Sequence, residues 1–163
     1  MKTAVDIRPL ALDDLNAIEE IERRSYATPW SRSMFAGELA KPASLCLGAF
    51  EDDRLAGYLI TSRYVDAWHV MNIAVNPVFR RRGIATALLE RLFELTEDGG
   101  RRGYTLEVRV SNNAAIKLYE RLGFTARGTR RGYYTDNRED ALIMWRDPAT
   151  HHDMESDSYS DNE

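Results

Sequence analysis

Three strand-type segments follow one another with no helix between them, and that succession limits the fold more than any other feature of the chain. Residues 44–50 and 55–62 form a hairpin around the acidic turn Glu51-Asp52-Asp53-Arg54. Trp68 to Val75 continues as a third strand, with His69, Met71 and Ile73 alternating against Val70, Asn72 and Ala74. A doubly wound parallel sheet needs a crossover between successive strands, so this run excludes one and requires a mixed sheet.

Periodicity and caps place the remaining elements. Val5-Asp6-Ile7-Arg8 is a short strand, and Leu15, Ile18, Ile21 and Glu22 share a helical period with Asp13 and Asp14 in its favourable first turn. Pro29-Trp30-Ser31 breaks the chain, and Ser31 caps a second helix over Met34, Phe35 and Leu39. A loop and helix cover Arg80 to Glu97, with Ile84, Leu88, Leu89, Leu92, Phe93 and Leu95 on the apolar side and Gly99-Gly100 at the end. Thr105 to Val110 is a strand. Asn112 or Asn113 caps a helix carrying Ala115, Ile116, Leu118, Tyr119 and Leu122, which Gly123 stops. Phe124 to Arg130 and Asp140 to Trp145 are the last strands. The predicted order is β-α-α-β-β-β-α-β-α-β-β, an α/β chain of the α+β mixed-sheet kind.

The net charge of −4 is unevenly placed. Six acids (Asp147, Asp153, Glu155, Asp157, Asp161 and Glu163) lie from Asp147 onward with no Lys or Arg, so the rest of the chain carries −4 + 6 = +2. A mildly basic body suits a small polyanion better than a nucleic-acid groove. Residues 1–147 are expected to form one domain and residues 148–163 an acidic, disordered tail, in which His151 and His152 are solvated rather than metal ligands. The single cysteine, Cys46, allows no internal disulfide and no thiolate metal cluster, and its apolar surroundings mark it as a core side chain. No apolar run approaches the length of a membrane span and the N-terminus lacks a signal-peptide core, so a cytoplasmic protein without membrane or metal is expected.

The segment Arg80-Arg81-Arg82-Gly83-Ile84-Ala85-Thr86 follows a strand and opens a helix. Backbone amides at a helix N-terminus converge on a pyrophosphate, and the positive dipole end favours its charge. Gly83 permits a tight backbone and close approach, and Ala85 is small enough not to block it. A solvated basic loop or a nucleic-acid patch uses the same residues. A Walker-type loop is excluded, because no Gly-Lys-Ser/Thr follows.

In its context, Arg-x-x-Gly-x-Ala after Asn72-Ile73-Ala74-Val75-Asn76-Pro77 resembles the acetyl-CoA signature of the GCN5-related N-acetyltransferases (GNAT), whose acyl-CoA N-acyltransferase fold has the element order above over residues 5–146. Further stretches resemble one branch, the bacterial ribosomal-protein-alanine N-acetyltransferases (RimI type). They are Pro29-Trp30-Ser31, Leu106-Glu107-Val108-Arg109, Ser111-Asn112-Asn113-Ala114-Ala115, Leu118-Tyr119-Glu120-Arg121-Leu122-Gly123-Phe124, Tyr133-Tyr134 and Glu139-Asp140-Ala141-Leu142-Ile143-Met144.

The resemblance implies an acetyl-CoA-dependent enzyme that acetylates the N-terminal alanine of small-subunit ribosomal protein number eighteen by direct attack in a ternary complex. It implies Glu107 as base and Tyr119 as acid. The backbone of Ile73, Ala74 and Val75 is expected to run beside pantetheine, with the Val75 amide facing the developing oxyanion. Arg81, Arg82, Gly83, Ile84, Ala85 and Thr86 are expected to hold the pyrophosphate, with Asn112 as a further cofactor contact or simply a helix cap. The chemistry fits an α-amine: with a pKa near ~8, about 10% is neutral at pH 7, far more than for a lysine, so a weak carboxylate base acting through water suffices. A phenol near ~10 lies close enough to a thiol to protonate a leaving thiolate. Other readings use the same residues: Glu107 as a surface strand residue paired with Arg109 or a lysine, and Tyr119 as a core aromatic.

Three functions remain distinguishable. Besides N-terminal acetylation by a monomeric enzyme with a protein acceptor and no direct nucleic-acid contact, the cradle suits a small-molecule amine acetyltransferase or a non-catalytic CoA-binding subunit. Trp30, Tyr133, Tyr134 and the loop near Asp136 favour a peptide lying in an aromatic-lined groove.

Overall fold

In a computed structural model, which describes residues 5–148, the chain runs β1 (Asp6–Pro9), α1 (Leu15–Ser25), α2 (Arg32–Ala40), β2 (Ser44–Glu51), β3 (Arg54–Tyr64), β4 (Ala67–Val75), α3 (Ile84–Leu95), β5 (Tyr104–Arg109), α4 (Asn113–Arg121), β6 (Thr125–Arg130) and β7 (Ala141–Arg146). This is the order predicted from the sequence. The strands are hydrogen-bonded in the order β1-β2-β3-β4-β5-β7-β6, with β4 and β5 parallel and β1–β2, β2–β3, β5–β7 and β6–β7 antiparallel, so the sheet is mixed. Residues 149–163, where most of the expected tail falls, lie outside the described residues, as do residues 1–4.

The chain divides into two compact units. One takes in the chain up to Arg63 together with Val70–Arg91; the other takes in Tyr64–His69 and the chain from Leu92 onward. In the first, Leu15, Ile18 and Ile21 of α1 and Phe35 of α2 pack with Phe50, Leu55, Tyr58, Ile60 and Ala74 from the strands, and Trp30 lies partly buried against them. Ser31 caps α2 as expected, its hydroxyl accepting from the Met34 amide at 3.3 Å. In the second, Phe93 meets Tyr104 edge-on with centroids 4.7 Å apart, and the Arg146 guanidinium lies 3.9 Å from the Phe93 ring centre. Gly103 is required there: its φ is +84°, and a Cβ would sit 2.1 Å from the Arg146 carbonyl oxygen.

Several expectations need correction. Asp13 and Asp14 lie not in the first turn of α1 but in a 3-10 turn over Leu12–Asp14 that precedes it, where the Asp14 carboxylate turns back to accept the Ala11 amide at 2.8 Å. Within the loop and helix expected over Arg80 to Glu97, the helix is Ile84–Leu95, and Arg81 and Gly83, with φ of +64° and +73°, belong to the loop. Met34 and Leu95 fall on the solvent faces of their helices.

Candidate active site

The strand-to-helix turn at 80–83 presents α3 amide-first. The first helical bond is donated by Ala87 to the Gly83 carbonyl at 3.0 Å, so the amides of Ile84, Ala85 and Thr86 find no acceptor within the helix. The space where a Cβ of Gly83 would stand is open, with no atom within 4 Å. A polyanion can therefore approach this backbone closely. Arg81 is exposed, whereas Arg82 is partly committed: its guanidinium pairs with the Glu51 carboxylate at 3.0 Å and lies 5.2 Å from the Phe79 ring centre. Arg82 thus braces the turn as well as adding charge.

In the same unit, β4 offers a polar backbone edge. The Asn76 amide donates to the Ala56 carbonyl of β3 at 2.7 Å, and Val70, Asn72, Ala74 and Asn76 form an unbroken buried alternation. By that alternation the amide and carbonyl of Ile73 and Val75 point away from β3. The Ile73 carbonyl accepts a hydrogen bond from the Tyr26 hydroxyl, which agrees. Pro77 ends the strand in a 3-10 turn that the Asn76 side chain caps, accepting from the Val78 amide at 3.1 Å.

Beneath this edge lies a group that the sequence reading placed on the apolar stripe of α1 without assigning it a role. Glu22 is 1% exposed, and its carboxylate accepts from the Tyr58 hydroxyl (2.5 Å), the Asn72 amide group (2.9 Å) and the Trp30 backbone (2.8 Å). Three donors offset the cost of burying a carboxylate. They also tie the α1–α2 connection to β4 next to Ile73. A carboxylate in phase with Leu15, Ile18 and Ile21 was the sequence signal.

In the other unit, β5 presents Thr105, Glu107 and Arg109 on one face, with Leu106 and Val108 buried on the other. Glu107 pairs with Arg130 of β6 at 3.3 Å, and not with Arg109 or a lysine as the alternative reading had it. Arg130 is level with Ala141 and Arg109, one step along from the row Glu107–Ile143–Gly128, so it reaches Glu107 diagonally across β7. Arg109 instead serves the segment after β6, bonding Asp136 at 2.9 Å and stacking 4.0 Å from the Tyr134 ring centre. His69 is half-buried, and burial lowers its pKa against the pull of Glu107, which favours the neutral ring; it is a strand histidine edge-on to Tyr64.

Tyr119 lies on α4, 6% exposed, its ring 5.7 Å from Phe124. Its hydroxyl has no hydrogen-bond partner among the described residues and is not sealed from solvent. Burial, and then Tyr134, push its pKa up to about 12, which corrects the phenol near ~10 assumed from sequence. Asn112 is the cap of α4, its side-chain oxygen accepting from the Ala115 amide at 3.2 Å, which leaves its NH2 group free to donate to a ligand. Cys46 is buried in the core with its thiol raised to about 11, so it remains protonated and inert.

Residues 15–124 match the model of the acetyltransferase (GNAT) family. The chain belongs to that family. A putative [ribosomal protein bS18]-alanine N-acetyltransferase of Bacillus subtilis is 39% identical over 146 residues, spanning 89% of this chain and 97% of the relative. The [ribosomal protein bS18]-alanine N-acetyltransferase of Salmonella typhimurium is 44% identical over 137 residues, or 83% and 92% of the two chains. The crystal structure of the ribosomal-protein-S18-alanine N-acetyltransferase from Escherichia coli superposes with a TM-score of 0.81 at 41% identity, covering 89% of this chain and 94% of that one.

This acetyltransferase uses acetyl-CoA as donor and transfers to an amine. Its residues fit that donor: the unsatisfied amides of Ile84, Ala85 and Thr86 and the open space over Gly83 match a pyrophosphate, and the outward amides of β4 match an amide-bearing arm. Among the described residues no cluster of His, Cys, Asp or Glu could hold a metal ion. No described helix is long and apolar enough to cross a membrane.

Proposed function

We propose that this acetyltransferase modifies the N-terminal alanine of ribosomal protein bS18 in the cytoplasm, with other protein N-termini as further acceptors. The observation that carries the reading is the match, at 39% and 44% identity and over 97% and 92% of their lengths, to relatives named for that reaction.

Acetyl-CoA supplies an activated thioester, whose acyl group the amine takes by direct attack. The chain's own groups then have separate tasks. Glu107 receives, through a water, the proton that the acceptor ammonium must lose. The Val75 amide donates toward the acyl oxygen as charge gathers there. Tyr119 keeps a proton ready for the departing sulfur. At about 12 its pKa lies well above an ordinary thiol near ~8.5, so complete transfer to a free thiolate would run uphill by about 5 kcal/mol. The phenol therefore acts chiefly by donating a hydrogen bond as the carbon–sulfur bond breaks, and yields its proton only in concert with that step. Arg81 and Arg82 with the amides of Gly83 to Thr86 hold the pyrophosphate.

The test is a bS18 N-terminal peptide with a free alanine amine, beside the same peptide blocked at its N-terminus, with products located by mass spectrometry. Acetylation confined to the free N-terminus is expected. Equal rates on the two peptides would reject α-amine specificity.

A further inference from the structure

The segment 131–140 between β6 and β7 has no buried residue among Arg131–Arg138, so apolar packing does not hold it in place. A polar staple does. From the end of β5, Arg109 bonds Asp136 (2.9 Å), Asn137 (3.2 Å) and Glu139 (3.4 Å), and its guanidinium carbon lies 4.0 Å from the centre of the Tyr134 ring. Glu139 closes the staple from the other side. Its second oxygen accepts the Ser111 amide at 2.8 Å, and its backbone carbonyl accepts the Tyr134 amide at 3.2 Å. The Tyr134 ring is half-buried against the Arg109 guanidinium, and Arg109 stands on the same face of β5 as Glu107, two residues further on.

We propose that Arg109 is a positioning residue for the acceptor: by gripping segment 131–140 it holds Tyr134 on the Glu107 face of β5, where the incoming peptide must lie. The inference rests on the acceptor reading above. Arg109 sits one face-step along β5 from Glu107 and makes its bonds to the loop, so its effect reaches the peptide through Tyr134. A lysine cannot replace it, because one ammonium cannot bond three side chains in a plane and stack on a ring at once.

Two variants and two readouts decide the matter. In Arg109→Ala, the KM for an N-terminal-alanine peptide is expected to rise about tenfold, the combined effect of losing a stacked cation and its ion pairs. The KM for acetyl-CoA is expected to stay unchanged, and Arg109→Lys to fall between. A peptide KM that does not move, or two KM values that rise together, would overturn the proposal. Hydrogen exchange of the Gly132–Glu139 amides tests the staple without any acceptor: it should quicken about tenfold in Arg109→Ala, and unchanged exchange would also overturn it. If the wild-type enzyme leaves the bS18 peptide untouched, the acceptor assignment fails. The kinetic arm then uses whichever peptide of a mixed N-terminal library the enzyme acetylates, and the exchange arm stands as it is.

Discussion

The ion pair between Arg130 and Glu107 spans 3.3 Å, and more than half of the Arg130 side chain is in solvent. A pair so exposed contributes at most ~1 kcal/mol, so an arriving ammonium and its water compete with it readily. Glu107→Gln keeps the shape and removes the proton acceptor. Turnover is expected to fall by roughly 10²-fold or more while acetyl-CoA affinity, measured by calorimetry, stays put. An unchanged turnover would remove Glu107 as the base. Tyr119→Phe is expected to slow turnover by a comparable ~10²-fold. The pH dependence carries a sign. An N-terminal ammonium with a pKa near ~8 cannot attack, so the rate rises with pH through that value. Tyr119, raised to about 12, stays protonated throughout, so no descending limb is expected from it below about pH 10. A limb that falls below that pH and vanishes in Tyr119→Phe would show the phenol to be far more acidic in the working enzyme.

Among the elements, strands and caps were the most legible part of the chain. Ser31 and Asn112 announced their helices because a side-chain oxygen before an apolar period has one obvious use. The loop before α3 was legible but not the point where it gives way to helix, since only the backbone reveals Arg81 and Gly83 in the left-handed region. Long-range polar partners were illegible: Arg130 reaches Glu107, and Glu22 joins Tyr58 and Asn72, across sequence separations that no local pattern encodes. Gly83 allows a prediction that separates conformation from access. Its φ of +73° suits asparagine far better than valine, while both side chains occupy the open space above it. Gly83→Val is therefore expected to weaken acetyl-CoA binding and to lower the melting temperature. Gly83→Asn should weaken binding with little loss of stability. Tight binding in the asparagine variant would mean that no ligand approaches this backbone closely.

At the scale of the whole molecule the decisive asymmetry is charge. Residues 1–146 carry +2 and the short segment from Asp147 carries six acids, so the two parts of the chain act on a polyanionic donor with opposite sign. Asp147 itself belongs to the folded part, since it pairs with Arg127 at 2.7 Å. A truncation must therefore fall after Pro148, where it removes Asp153, Glu155, Asp157, Asp161 and Glu163. The groups assigned to donor and acceptor all lie before Pro148, so turnover and melting temperature are expected to survive the cut. The field of the five acids is a different matter. At low ionic strength the Debye length reaches about 30 Å, and removing five negative charges should lower the KM for acetyl-CoA and raise its association rate. At about 0.15 M salt the length shrinks to about 8 Å and the advantage should fade. Stopped-flow binding of acetyl-CoA to both forms across a salt series measures this directly. A loss of turnover that salt does not relieve would mean that the segment contributes contacts and not merely charge.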